Sequence, residues 1–591
     1  MTKLGVFCEK LIEAGWLAAV IVTPLFFNVF SDRTFEPDKL TLLRSIALVM
    51  AVAWVIKVLE AGSGIQLQTP NSKLQTPLVL PTLFLVTVYI LATLASVTPR
   101  ASLWGSYQRL QGTYSTFSYI VVFFLALQGL RTREQIERLV TTAILASLPV
   151  SLYGILQHYG RDPLPWASSV TSSVASNMGN AIFVGAYLIM VVPLTLARVV
   201  ESFSAILADE GGRAREGVIS DVILATCYVF ILAAQLICIL FSRSRGPMLG
   251  LLAGLFSFVL LVLTRLRRRA EDQTSTKLSD GGKAIATVIL GDLIGFLVGM
   301  AGGALLGKIG FLGGAPDRTL LSAIGFFVGI ASGVVCIGFL VILRKGWKWL
   351  WLSWIIQALV LVAFFIVFNL PGSPITSWRE LPYIGRLGRV FETETGTGLV
   401  RVLIWEGVVE MMTPHEPIQY PSGQPDRLNL LRPLIGYGPE SMFVAYNRFY
   451  PPDLAHSEDR KASPDRSHNE TFDALVITGL AGFVAYILLF GSAFYYGYKW
   501  LGLIESSRQR NVFIGLFLGG GLAAALFLWL WKGAAFVGVG LPLGIALGLV
   551  VYLIVSAIVF YGRPNTQSPI SNLQPPISNF QLPTSNSYSL L

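Results

Sequence analysis

Side chains suited to proton and anion chemistry gather at a few points along this chain. His468 stands in SHNETF, two residues after Arg466 and directly before Asn469 and Glu470. An imidazole with an ordinary pKa of about 6.5 is the side chain best matched to accepting a proton at neutral pH, which makes His468 a candidate catalytic base. The same residues also read as a helix cap, with Ser467 or Asn469 taking the first amide hydrogens of the next helix. FSRSRGPMLG, 241–250, puts Arg243 and Arg245 in a short turn between two apolar runs. Guanidinium stays charged and can grip a phosphate with two bonds. It serves equally to pair with a lipid headgroup, or with an internal carboxylate such as Glu13, Asp221 or Asp292. PRASLWGSYQRLQGTYSTFSY, 99–119, sets Arg100 and Arg109 among Trp104, Tyr107 and Tyr114. Aromatic faces stack on sugars and Arg binds phosphate, although an aromatic belt at a membrane surface has the same composition. In SNMGNAIFVGAYL, 176–188, Gly179 permits close approach, and Asn180 offers an amide either to a ligand or to a helix cap. Gly436 and Gly438 of GYGPESMF allow tight backbone geometry. His415 and His456 lie in Pro-rich loop and read as solvated; His158 reads as interfacial.

These groups must be positioned by greasy helices. Of 591 residues, 53% are hydrophobic and only 13% charged, against about 25% charged in a soluble domain. Runs of roughly 20 apolar residues cross a bilayer as helices. Such runs fall at 12–30, 40–58, 78–97, 115–130, 136–157, 180–198, 219–241, 247–264, 284–306, 320–343, 349–370, 472–498, 511–531 and 536–560. The fold expected is all-α and polytopic, with about 12–14 transmembrane helices. The first run is long, lacks a small-residue cleavage site and is followed by Asn28, Asp32 and Arg33, so it reads as a signal anchor. Lys and Arg concentrate in alternate loops, as at Arg131, Arg133 and Arg138 and again at 265–283. By the positive-inside rule this bias puts both termini in the cytoplasm.

One long polar stretch, 371–470, then faces outside. It carries three of the four His and ten Lys/Arg, so an anionic, lipid-borne substrate is the expected target. The chain divides into a bundle at 1–370, this external loop domain at 371–470, further transmembrane helices at 471–562, and a disordered tail at 563–591. Within the loop, GLVRVLIWEGVVEMM (398–412) is too short to span and reads as an interfacial helix with Trp405 as its anchor. The segments 64–77 and 265–283 read as cytoplasmic linkers, the second resting on anionic headgroups. The tail is Pro/Ser/Asn-rich and uncharged over SPISNLQ, PPISNFQ and LPTSNS, and it cannot bury enough surface to fold. Cys8, Cys227, Cys238 and Cys336 lie far apart and read as small buried hydrophobes. Neither metal-ligand spacing nor a nucleotide-binding Gly-rich loop appears, so no cofactor is expected. No basic, aromatic-interleaved module points to nucleic acid.

In order along the chain, WGSYQRLQG, GNAIFVGAYL, SRSRGPMLGL, TGLVRVLIWEGVVEMM, GYGPESMF and SHNETFDALVITGLAGF resemble the O-antigen ligase and polysaccharide polymerase superfamily. These are bacterial membrane glycosyltransferases that include protein O-oligosaccharyltransferases. The resemblance runs over about 99–490. It implies a GT-C-type enzyme of the bacterial inner membrane, with one long external loop between late helices. Such an enzyme moves a glycan from a polyprenyl (undecaprenyl) diphosphate donor to a hydroxyl on a glycan, lipid or protein at the extracytoplasmic face, as in lipopolysaccharide biosynthesis, without metal or nucleotide. By motif, His468 resembles the loop His that activates the acceptor, Arg245 a diphosphate ligand, and Arg109 and Arg401 further phosphate-binding or loop-organising residues. Arg243 is carried on proximity. Asn180, Gly436, Gly438, Arg466 and Asn469 are possible lining. The family's GNPN is here Gly179-Asn180-Ala181-Ile182, without the second Asn, and 284–319 looks like an insertion. A flippase or transporter of lipid-linked glycans is the alternative; it predicts inverted repeats and helices broken at mid-membrane, and no internal repeat is evident. A structural or regulatory membrane protein with a binding loop is a further one.

Overall fold

The computed structural model describes residues 2–31, 35–60, 77–164, 166, 169–207, 215–273, 338, 341, 349–373, 375–380, 385–394, 396–420, 423–458 and 463–560. The described chain is helical, with one isolated bridge between Gln419 and Pro425. Its helices are α1 (Lys3–Leu25), α2 (Glu36–Glu60), α3 (Val79–Leu94), α4 (Pro99–Trp104), α5 (Thr113–Gly129), α6 (Arg133–His158), α7 (Ala181–Leu207), α8 (Arg215–Ser242), α9 (Arg245–Gln273), α10 (Leu350–Asn369), α11 (Gly396–Met412), α12 (Arg432–Ile435), α13 (Met442–Ala445), α14 (Leu454–Ser457), α15 (Glu470–Trp500), α16 (Ser507–Lys532) and α17 (Val537–Val555).

Among the described residues nine helical segments are long and apolar enough to cross a membrane: α2, α6, α10, α15, α16, most of α7, α8 and α9, and Ala534–Val559, which contains α17. The protein is therefore a multi-pass membrane protein. The runs expected at 78–97 and 115–130 form shorter apolar helices, α3 and α5. The first run becomes α1, which carries Glu9, Lys10 and Glu13 and is not among the nine. α9 continues to Gln273, so the basic segment expected as linker from 265 begins as helix. The runs at 284–306 and 320–343, Asp292, Cys336, most of 64–77 and the tail lie outside the described residues. Cys8 and Cys238 are buried as expected; Cys227 is instead exposed on α8.

Local chemistry starts and joins these helices. Thr132 and Gln135 form a capping box on α6, as Ser506 and Gln509 do on α16. α16 and α17 approach closely because Gly540, Gly544 and Gly548 recur every fourth residue. A Cβ at Gly544 would stand 2.1 Å from the Gly520 carbonyl oxygen, and one at Gly548 equally near that of Leu516. Small residues at this spacing let helix backbones touch in lipid.

Between α10 and α15 lies a small core of its own. Leu403, Ile404, Trp405, Val408 and Met411 form one stripe of α11 and pack with Tyr437, Tyr446, Phe449, Phe472 and Val476. Trp405, expected as a lipid anchor, is instead 8% exposed. Its indole N–H donates to Ser467 O at 2.9 Å, and its ring meets Phe472 and Phe536. The stripe that reads as membrane-facing is satisfied by loop aromatics that the sequence pattern does not pair with it.

The loop is locked to α15 where that helix breaks. Gly479 has φ 65° and ψ −168° inside α15. The carbonyls of Val476 and Ile477, just before the break, accept from Tyr437 N–H (2.8 Å) and Gly438 N–H (3.0 Å). Backbone meets backbone here: a Cβ at Gly479 would fall 2.3 Å from Leu434 C, and one at Gly436 would fall 2.5 Å from Ile477 O. Gly479→Ala is expected to lower the thermal unfolding midpoint in detergent by the equivalent of at least about 1–3 kcal/mol, the cost of such a backbone region for a non-glycine residue. Gly497→Ala, in open space, is the matched control and leaves the midpoint in place. Equal midpoints for the two variants would mean that the break is not a fixed joint.

Candidate functional site around His468

Three chain segments build the site. The first is the turn 95–112. Arg44 of α2 holds it, its Nε donating to Ser115 Oγ (2.9 Å) and its Nη2 to Trp104 O (2.7 Å), with its guanidinium 4.8 Å from the Tyr114 ring centre. The second segment, 436–441, clamps onto this turn. Ser102 Oγ donates to Pro439 O (2.6 Å), Val97 N–H to Tyr437 O (3.1 Å), and the Glu440 carboxylate accepts from Ser106 N–H and Gln111 N–H. Gly436 and Gly438 are buried in this clamp, and a Cβ on Gly438 would meet the hydroxyls of Ser96 and Ser102. They serve backbone packing.

The third segment, 463–470, carries His468. Asp473 takes Ser467 N–H (2.8 Å) and Oγ–H (2.7 Å), while Asn469 Oδ1 caps α15 by accepting from Thr471 N–H (3.0 Å). The capping reading therefore holds for Asn469 and not for Ser467, whose hydroxyl donates to Asp473, and together these bonds fix the backbone on either side of His468. With both neighbours pinned, His468 adopts φ 55°, a left-handed conformation uncommon outside Gly. Arg243 (φ 51°) and Glu440 (φ 50°) share it, so strain of about 1–3 kcal/mol per residue collects here. The imidazole makes no hydrogen bond among the described residues. His468 is exposed, yet enough protein surrounds the ring for desolvation to lower its pKa below the ordinary 6.5. The Arg401 and Arg109 charges push the same way, and Asp473 and Asp465 oppose them. The neutral, proton-accepting form is favoured.

Arg401 links His468 to a second group of charges. The charges acting on Arg245 are those of Arg386, Arg389 and Arg401, with Glu392 opposing. Arg245 Nη1 donates to Arg389 O (2.6 Å), and Arg386 Nη1 donates to Arg243 O (3.3 Å). These bonds tie the α8–α9 turn to the turn Gly385–Arg389. That turn is held on α10 by Asn369, which donates to Leu387 O (2.8 Å) and accepts from Val390 N–H (2.9 Å). Partial burial, with Arg243 beside it, holds the Arg386 pKa below its ordinary value, though an arginine remains charged at any such value. Among the described residues Arg245, Arg386, Arg389 and Arg401 make no ion pair with a carboxylate; the nearby Glu392 pairs with Arg379 at 3.6 Å. Clustered like charges with so little counter-charge create a positive potential that attracts anions.

Arg109 is different. Its Nε and Nη2 both donate to Asp465, and Nη1 lies 3.4 Å from Glu36. Burial pulls its pKa down, but Asp465, with Glu36 and Glu440, outweighs that and raises it. Its charge is answered, so of its two expected roles the structure gives it the organising one, fastening 106–111 to 463–466. The charge of Arg466 acts on Glu36 and Glu470. Asn180 accepts from Ile182 N–H (2.9 Å) at the start of α7 and is exposed; it is a cap, and among the described residues no hydrogen bond or ion pair joins it to the cluster. Glu13, considered as a partner for Arg243 or Arg245, accepts instead from Arg138 Nε (3.0 Å).

Some groups escaped the sequence reading. His415, expected as solvated, has Nε2 3.0 Å from Tyr437 Oη and packs edge-on to Phe449. Arg386 and Arg389 carry little local signal; their mark in the sequence is the paired Gly-Arg of GRLGR just ahead of α11. Trp104 and Tyr107 stand exposed beside the site, 54% and 70%. Among the described residues no three His, Cys, Asp or Glu side chains group as metal ligands do. A comparison with protein-family models finds no match, and neither curated proteins nor solved structures give one.

Proposed function

We propose that this protein transfers a glycan from a polyprenyl-diphosphate donor to an acceptor hydroxyl at the extracytoplasmic face of a bacterial inner membrane, in the manner of the O-antigen ligase and polysaccharide polymerase superfamily. One observation carries the reading: Arg401, whose charge acts on an imidazole biased toward its neutral form, also acts on Arg245, which lies among Arg386 and Arg389 without an ion-paired carboxylate among the described residues. In the proposed reaction the acceptor oxygen attacks the anomeric carbon while a ring nitrogen of His468 takes its proton. The bond from that carbon to the diphosphate oxygen breaks, and both electrons leave with the diphosphate. Arg245, Arg386, Arg389 and Arg401, with Arg243, balance the charge that develops on it. Arg401 acts on both His468 and Arg245, so it spans the distance between proton removal and leaving group. Trp104 and Tyr107 offer aromatic faces to sugar rings.

Attack from the side opposite the diphosphate inverts the anomeric carbon. Purified protein given lipid-linked oligosaccharide and an acceptor, with chelator and without ATP, is expected to yield product of inverted configuration by NMR. A retained configuration would rule out this displacement. Movement of the donor across the bilayer without transfer would favour the flippase reading and remove the enzyme.

A further inference from the structure

The far end of the bundle holds a second polar site. α2 measures the separation: Glu36, at its start, faces Arg109 in the site above, and Lys57 lies 21 residues on. At 1.5 Å per residue that is about 32 Å. Around Lys57 a cavity of about 310 Å³ opens where α1, α2, α5 and α6 meet. Its two carboxylates are already engaged. Glu9 takes Lys57 and lies 3.7 Å from Arg131; Glu13 accepts from Gln135 Nε2 at 2.9 Å and from Arg138.

What stays open is a donor. Trp16, a residue only 1% exposed, lines this cavity, and its indole N–H is buried without a hydrogen-bond partner among the described residues. Gly129 makes the room before it, since a methyl there would stand 3.6 Å from Nε1. Buried donors are almost always satisfied, so an acceptor oxygen is called for. Lys10 and Arg131, both exposed on the rim, make the lining net cationic, while Trp54 and Leu125 provide apolar wall. An anion with oxygen acceptors joined to an apolar body fits these walls.

We propose that this cavity binds the phosphate of a membrane phospholipid headgroup. Trp16 Nε1 donates to a phosphate oxygen, Arg131 and Lys10 balance its charge, and the acyl chains lie along Trp54. Free phosphate shares the head chemistry, and the test separates the two. Purified full-length protein, stripped of lipid in detergent, is titrated with phosphatidylglycerol in mixed micelles while the thermal unfolding midpoint is followed. Parallel titrations use diacylglycerol and inorganic phosphate. Phosphatidylglycerol is expected to raise the midpoint saturably, with half-saturation at least about tenfold weaker in Trp16→Phe, as for one lost hydrogen bond to a charged group. Gly129→Ala, a change favourable to a helix, is expected to keep the lipid-free midpoint or raise it while weakening the lipid response by a similar factor. Because it fills the space and leaves the indole alone, it decides the matter even if Trp16→Phe folds poorly. An equal response to diacylglycerol would overturn the anion. An equal response to inorganic phosphate would overturn the lipid. Identical curves for wild type and Gly129→Ala would leave water as the occupant. Each readout is binding, so it stands apart from glycan transfer.

Discussion

His468→Asn abolishes glycan transfer while the protein keeps its unfolding midpoint: this is the expected result of the sharpest substitution the site allows. Asn is the informative replacement because it tolerates the left-handed conformation (φ 55°) at this position, so a loss of activity reports on the imidazole and not on backbone strain. Ala should behave likewise, with some added strain. Removing a general base costs about 10²–10⁴-fold in rate, and the effect should fall on kcat as much as on kcat/KM. The wild-type pH profile supplies an independent reading. In the proposed reaction His468 is the neutral base, and burial together with Arg401 and Arg109 sets its pKa below 6.5. Activity therefore holds at pH 6.5 and is lost only as pH falls through that lowered pKa. Arg401→Gln removes one of the charges disfavouring imidazolium, so its acidic limb moves to higher pH, apart from any fall in kcat through weaker diphosphate binding. A merely structural His468 would leave no such limb to move. Full transfer by His468→Asn would take the residue out of the mechanism.

Much of this arrangement is legible in the amino-acid order, and the failures have physical causes. Apolar length alone marks the helices that cross. The turns holding Arg109, Arg245 and His468 stand out because polar and charged residues are rare in so apolar a chain; the Arg109 turn is bonded to the segment before His468 through Asp465 and to 439 through Ser102, while Arg245 is bonded to the separate turn at Arg389. Asn180 shows the limit of motif reading, since an amide before a helix has the same appearance whether it caps or binds. Trp405 shows the limit of periodicity, because an apolar stripe on a short helix does not say whether lipid or protein covers it. The break at Gly479 is hidden inside ALVITGLAGF, where a continuous apolar run gives no sign that carbonyls are being turned toward the loop. Arg432 looks like any loop arginine, yet it is among the most buried side chains in the molecule. Long-range pairing decides such cases, and local spacing carries no record of it.

Arg432 is also where the structure is expected to be most fragile. Its Nε bonds Asp426 Oδ2 at 2.7 Å and its Nη2 bonds Oδ1 at 3.0 Å, with side-chain exposures of 1% and 2%. Nη1 donates to Ala95 O (2.7 Å) and Gly436 O (3.0 Å), and the guanidinium lies 5.3 Å from the Tyr437 ring centre. One side chain thus joins the end of α3, the glycine segment on the α15 break, and the turn at 426. Asp426→Asn leaves a charge buried without its counter-charge, which costs about 3–5 kcal/mol. The thermal midpoint in detergent should fall accordingly, and transfer with it, although every residue given a chemical role is intact. Replacing both partners, Asp426→Leu with Arg432→Met, removes the uncompensated charge but leaves two carbonyls without a donor, at about 1–3 kcal/mol each, so recovery is only partial. The pH dependence has a definite sign. Burial would raise the Asp426 pKa, but the Arg432 bond and charge outweigh it and hold the carboxyl below its ordinary 3.8. The stability it contributes is complete above 3.8 and is lost as pH falls through the lowered value. The gap in midpoint between wild type and Asp426→Asn should stay constant from pH 7 down to 3.8 and close only below it. A gap that closes nearer neutrality, or no gap at all, would show that the pair does not hold the loop to the bundle.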